Sequence, residues 1–215
     1  MPLTRDAAIA AAARARAAQK PWAARPLAER VALVKAGAAK LNQMKDVLVE
    51  ELAWQMGRPT RFGGEFGGVN DRTNYMSDIA AETLAHHVIE DSAQFRRYLA
   101  RDPLGVVFIV APWNYPYLTT INTLAPALIA GNTVILKHAS QTMLVGERLA
   151  EAFHAAGIPA DVFQNVVLDH ATTEHLIATR AFNFVNFTGS VGGGQAMERA
   201  AAGTFTPLGL ELGGK

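Results

Sequence analysis

The chain has 215 residues, half of them hydrophobic, with 20 Lys and Arg against 19 Asp and Glu for a net charge of +1. That composition supports a buried core and excludes a disordered chain, while the near-neutral charge argues against nucleic acid as the main partner, because phosphate binding needs a basic face. No stretch is long and apolar enough to span a bilayer, and the absence of cysteine excludes disulfides and thiolate zinc sites and fits a cytoplasmic protein.

Met1 to Lys20 is rich in alanine and arginine, carries Asp6 and lacks the continuous apolar core of a secretory signal. A surface helix is expected there. Leu27, Val31, Val34, Ala38 and Leu41 then recur at helical spacing and form one apolar stripe. Pro26 suits the first turn of that helix. Met44, Leu48 and Leu52 define a second helix, stopped by Gly57 with Pro59 beyond. The glycine-rich run Gly63 to Gly68 reads as a loop or weak helix, since each helical glycine costs about 1 kcal/mol relative to alanine. Helix is expected to return from Asn74 to His86. Residues 1–91 thus form an amino-terminal helical region.

From residue 92 the pattern changes to alternating strand and helix. Phe95–Ala100 is expected to be a strand, followed by a turn at Asp102 to Gly105. Val106–Val110 is an unbroken apolar run, as for a strand buried on both faces. Further strands are expected at 133–136, 162–167, 182–187 and 207–212. The helices between them are expected at 118–130, 142–156, 172–179 and 193–202. This order implies an α/β fold: a doubly wound parallel sheet over residues 92–215 with an amino-terminal helical extension. Ligands on such sheets sit beyond the carboxyl ends of the strands.

Three strand ends carry notable residues. Ala111 to Pro116 (Ala-Pro-Trp-Asn-Tyr-Pro) follows Val110. Lys137 to Ser140 follows Leu136. Thr188-Gly189-Ser190 follows Phe187, with Gly192, Gly193 and Gly194 opening the next helix. Such a turn lets backbone amides and the helix dipole meet a phosphate. The spacing is not G-x-G-x-x-G, so tight helix–strand packing is an equal reading. The six histidines show no metal-ligand spacing, and adjacent His86 and His87 diverge on a helix.

Taken together, these motifs resemble the aldehyde dehydrogenase superfamily over nearly the whole chain. The resemblance is carried by Pro103 to Val107, Pro112 to Pro116, Pro126 to Asn132, Leu136-Lys137, Phe187 to Ser190 and Leu210 to Lys215. It implies an oxidoreductase that uses NAD or NADP as cofactor and converts an aldehyde to a carboxylic acid. Asn114 would point its amide at the substrate oxygen, where a neutral donor stabilises developing charge; a turn-capping asparagine is the alternative. Glu211 would activate water as general base, a role that burial favours by raising a carboxylate pKa. Trp113 would pack near the cofactor phosphates, with Val110 before it at the strand end. Lys137 would bind the adenosine ribose, Gly189 and Ser190 the pyrophosphate, and Gly194 would permit close helix packing.

Two departures from the family matter. Many NAD-preferring relatives have a glutamate three residues after the lysine; Ser140 stands there, so repulsion toward a 2′-phosphate is absent. NADP is therefore expected to be accepted, with Lys137 and His138 near the phosphate. The family reaction also needs a cysteine thiolate to form a thioester, and this sequence has none. In the family that cysteine lies downstream of the segment at Leu210–Lys215. A fragment of such an enzyme, inactive alone, is the favoured expectation, with the catalytic domain and a later oligomerisation strand of these homo-oligomers absent. A non-catalytic nucleotide-binding module and an interaction protein reusing the fold are the alternatives.

Overall fold

A computed structural model describes residues 1–213; Gly214 and Lys215, the end of the Leu-Glu-Leu-Gly-Gly-Lys segment, lie outside the described residues. Its centre is a parallel five-stranded sheet of β3 (Val106–Val110), β4 (Thr133–Lys137), β5 (Phe163–Asn165), β6 (Phe184–Gly189) and β7 (Leu208–Leu212), in the order β5-β4-β3-β6-β7. The order reverses between β3 and β6, where neighbours in space are separated in sequence by two strands, β4 and β5. Each crossover carries a helix: α6 (Pro116–Ile129), α7 (Met143–Ala155), α8 (His170–Ala178) and α9 (Val191–Ala201).

The strands alternate between two cores because successive side chains leave opposite faces. Val107, Ile109, Val134 and Leu136 face one core, shared with α2 (Leu27–Gln43), α3 (Lys45–Met56), α4 (Phe66–Asp78), α6 and α7. Val106, Phe108, Val110 and Ile135 face the other, shared with α1 (Arg5–Ala23), α8 and α9. The molecule is thus three layers deep, helix on sheet on helix. Phe108 stacks on Phe182 with ring centroids 4.2 Å apart.

α1 departs from the surface helix expected for the amino terminus. Ala8, Ala11, Ala12 and Ala15, at helical spacing, are buried against the sheet. Their small side chains let the helix axis lie close to the strands. Arg30 joins the α1 and α6 ends: its buried guanidinium donates to the carbonyls of Ile129 and Ala23, both at 2.9 Å. It thereby satisfies carbonyls that a helix end leaves without partners.

Residues 74–86 also differ from expectation. α4 starts at Phe66, inside the glycine run, and a short α5 (Ala80–Thr83) follows. Tertiary packing outweighs the glycine cost: a Cβ on Gly68 would lie 3.1 Å from Leu118 of α6. The chain then forms a hairpin of β1 (His87–Asp91) and β2 (Arg96–Leu99), antiparallel and outside the main sheet. Position 91/92 falls in its turn. Val88, Ile89, Phe95, Tyr98 and Leu99 are exposed there. Among the described residues no helix is long and apolar enough to cross a membrane, and no group of three His, Cys, Asp or Glu could hold a metal ion.

Candidate active site

A cleft of about 860 Å³ opens at the carboxyl ends of the parallel strands, around the β3/β6 reversal. Val110, Trp113, Asn114, Lys137, Ser140, Gly189, Ser190 and Glu211 all line it. Gly194 does not. It is buried behind the lining, and a Cβ there would meet Leu212 at 2.6 Å.

Asn114 sits in the loop between β3 and α6. Its Oδ1 accepts the Tyr115 backbone N–H at 2.9 Å. Because an N–H must donate to oxygen, this contact fixes the amide orientation. The Nδ2 hydrogens are therefore the part of the exposed side chain left to meet a ligand. Trp113 is half-exposed beside it.

Lys137 ends β4 opposite Val110, and its carbonyl accepts the Ala111 N–H at 3.0 Å. Burial lowers its ammonium below the usual lysine value. Among the described residues no carboxylate pairs with it, so the cation is available to an anionic or hydroxyl-rich ligand. His138 does not join it in the cleft. Its ring turns inward, 6 % exposed, with Nδ1 accepting the Ala139 N–H at 3.0 Å and Nε2 lying 3.5 Å from the Pro116 carbonyl. Adjacent positions at a strand end point opposite ways, so the expectation of two cations near one phosphate is corrected to one. Ser140 is exposed, its hydroxyl donating to Gln141 at 3.2 Å.

On the other side of the cleft, Ser190 caps α9, its Oγ accepting the Gly193 N–H at 3.1 Å. The amides of Val191 and Gly192, in the first turn, have no intrahelical acceptor. The glycines nearby differ in what surrounds them. The Phe187 ring fills the space above Gly189 and Gly193, where a Cβ would come within 2.7 and 2.4 Å of it, whereas a Cβ at Gly192 meets nothing within 4 Å. Gly192→Ala is expected to leave stability unchanged or raise it by up to about 1 kcal/mol. Gly193→Ala forces the ring to move and is expected to cost about 1–2 kcal/mol. Urea midpoints of the two variants check this pair; equal midpoints would refute the packing argument.

Glu211 lies on β7 opposite Thr188 and is exposed. The burial expected around its carboxylate is not supplied by the described residues.

Residues not anticipated from sequence complete the picture. Asp169 caps α8, accepting the Thr172 N–H at 2.7 Å, and lines the far end of the cleft with His170 and Glu174. The Asp-x-x-Thr spacing was its available signal. Glu65 is buried beneath the Asn114 loop: its Oε2 accepts the Tyr117 and Leu118 amides, both at 2.9 Å, and its Oε1 pairs with Arg58. Burial raises its pKa, against the lowering effect of the Leu118 amide and Arg58.

Residues 2–215 match the aldehyde dehydrogenase family. The chain belongs to the aldehyde dehydrogenase family. N-succinylglutamate 5-semialdehyde dehydrogenase of Novosphingobium aromaticivorans is 33% identical over 204 residues, covering 94% of this chain and 43% of that protein. Benzaldehyde dehydrogenase [NAD(+)] of Pseudomonas putida is 34% identical over 221 residues, covering 97% and 43%. Among solved structures, succinic semialdehyde dehydrogenase of Streptococcus pyogenes in complex with NADP+ superposes with a TM-score of 0.92 at 29% identity, covering 100% of this chain and 47% of that one. The chain therefore spans less than half the length of these relatives.

Proposed function

We propose that these residues form the dinucleotide-binding part of an NAD(P)-dependent aldehyde dehydrogenase, and that the chain has no dehydrogenase activity alone. The observation that carries the reading is the shared cleft: an amide, an ammonium, a capped helix start and a carboxylate converge where the strand order reverses, the site at which such sheets take ligands. The inactivity rests on chemistry. No cysteine is present to supply the attacking thiolate.

The chain fits the cofactor at three points. The Ser190 cap leaves first-turn amides and the helix dipole for a pyrophosphate. Gly193 lines the cleft and lets the Phe187 ring pack against that turn and hold it in place. Lys137 offers an ammonium at the end of β4, lining the cleft, for ribose hydroxyls. When bound, the nicotinamide supplies a hydride acceptor. Val110 and Trp113 would flank the cofactor, Asn114 Nδ2 would donate to the aldehyde oxygen, and Glu211 would take a proton from water. With Ser140 in place of a carboxylate, NADP is accepted as well as NAD. Residues 1–91 would act as a helical region packed on both faces of the sheet and 92–215 as the nucleotide domain, and the exposed β1–β2 hairpin fits assembly into homo-oligomers.

Calorimetric titration of NAD+ and NADP+ into the 215-residue chain tests this. One site per chain is expected, with NADP+ binding at least as tightly as NAD+. Failure of both nucleotides to bind at millimolar concentration would refute the cleft assignment, and a strong preference for NAD+ would refute the reading of Ser140.

A further inference from the structure

Asn114 projects from a loop, yet its neighbours are held by groups from a distant part of the chain. Gly57 closes α3 in the left-handed conformation, φ +73°, immediately before Arg58. The Arg58 side chain is 11% exposed and that of Glu65 1%. One guanidinium nitrogen, Nη1, donates to Glu65 Oε1, and the other, Nη2, to the backbone carbonyl of Asn114. The guanidinium also lies over the Tyr115 ring, 4.9 Å from its centroid. The second oxygen of Glu65 takes the Tyr117 and Leu118 amides, two first-turn donors of α6 that no intrahelical carbonyl can satisfy. One ion pair thus clamps the residues from 114 to 118 on both sides of the α6 start.

We infer that Arg58 and Glu65 are positioning residues for Asn114, fixing where its Nδ2 hydrogens point. Their contact with the reaction is indirect, through the Asn114 carbonyl and the α6 amides, and the inference rests on the proposed role of Asn114. An ion pair serving only stability would need neither the bond to the Asn114 carbonyl nor two amides on one oxygen. A donor aimed at developing charge must be held in advance, because reorganising it during reaction forfeits the stabilisation.

The test uses the 15N-labelled 215-residue chain. In the unaltered protein the Tyr117 and Leu118 amides should exchange with solvent at least about tenfold slower than free amides, the scale of a hydrogen bond to a charged acceptor. In Arg58→Met the Asn114 side-chain NH2 pair should shift, and those two amides should exchange faster, while β3 and β4 signals stay put. Arg58→Lys should fall between, keeping the charge but losing the two-pronged reach. Arg148→Met breaks a comparable pair, Arg148 with Glu51, and should leave the Asn114 signals unmoved. Unprotected Tyr117 and Leu118 amides in the unaltered chain, or an unshifted Asn114 pair in a folded Arg58 variant, would overturn the inference. Should Arg58→Met not fold, the unaltered chain and Arg58→Lys still decide it. Nucleotide titration of the same samples is read separately, so a cleft that binds no cofactor refutes the functional proposal without touching these signals.

Discussion

Lowering the pH from 6.5 to 4 is expected to remove about 3 kcal/mol of folding stability through one imidazole, His138. Burial is the main reason its pKa is held down to about 4 from 6.5, the nearby Lys137 charge adds to it, and the Pro116 carbonyl opposes. The Ala139 N–H already occupies the Nδ1 lone pair that a second proton would need. The sign follows directly. Between pH 6.5 and 4 the unfolded chain binds a proton on His138 that the folded chain refuses, so stability falls as pH falls and the loss levels off below about 4. Glu65 acts the other way: its raised pKa lets the folded state hold a proton more tightly, so acidification favours folding across the interval above 4.5. Urea titrations of the parent and His138→Asn separate the two, because both proteins carry Glu65. The stability difference between them should shrink by about 3 kcal/mol from pH 7 to pH 4. Parallel profiles would show that His138 protonates freely in the folded chain.

Nucleotide affinity should fall about 10- to 100-fold in Lys137→Met, the loss of one charge-assisted hydrogen bond of about 1.5–3 kcal/mol. Stability should move in the opposite direction. Burial lowers the Lys137 pKa, which means that the folded chain carries an ammonium it would hold more cheaply when neutral. The resulting destabilisation is full at neutral pH and is relieved as pH rises toward 10.5, where the unfolded chain also loses its proton. Methionine keeps the length and removes the charge, so the variant should be at least as stable as the parent at pH 7. Weaker binding in a protein no less stable identifies Lys137 as a ligand contact. A variant that binds either nucleotide within threefold of the parent would remove Lys137 from the cofactor site. NADP+ should lose more than NAD+ if the ammonium also meets the 2′-phosphate.

Much of the fold was legible because burial leaves a local mark. β3 is apolar at every position since both its faces are covered, and α2 shows its stripe because one side alone is covered. What was missed depends on partners far along the chain. β1 has no apolar alternation, since its residues are largely exposed and pair with a strand rather than a core. α4 runs through glycines because Leu118 needs the room. The α1 alanines do sit at helical spacing, but alanine also suits solvent, so their burial was not forced. At the site, the strand-end residues were readable by motif. Glu65 and Arg58 were not, although a carboxylate set among four glycines hinted at something unusual. The inward turn of His138 follows from strand alternation and was open to deduction.

The reversal of strand order has a consequence for how the cleft comes into being. Lys137 belongs to the half of the sheet laid down first, whereas the Ser190 turn arrives two crossovers later, when β6 docks against β3 rather than beside β5. A chain emerging from the ribosome as far as Asn165 would own the ammonium wall and lack the opposite one. Cofactor capture therefore reports on the completed second half-sheet, and nucleotide added during refolding should select molecules in which that late docking step has already happened.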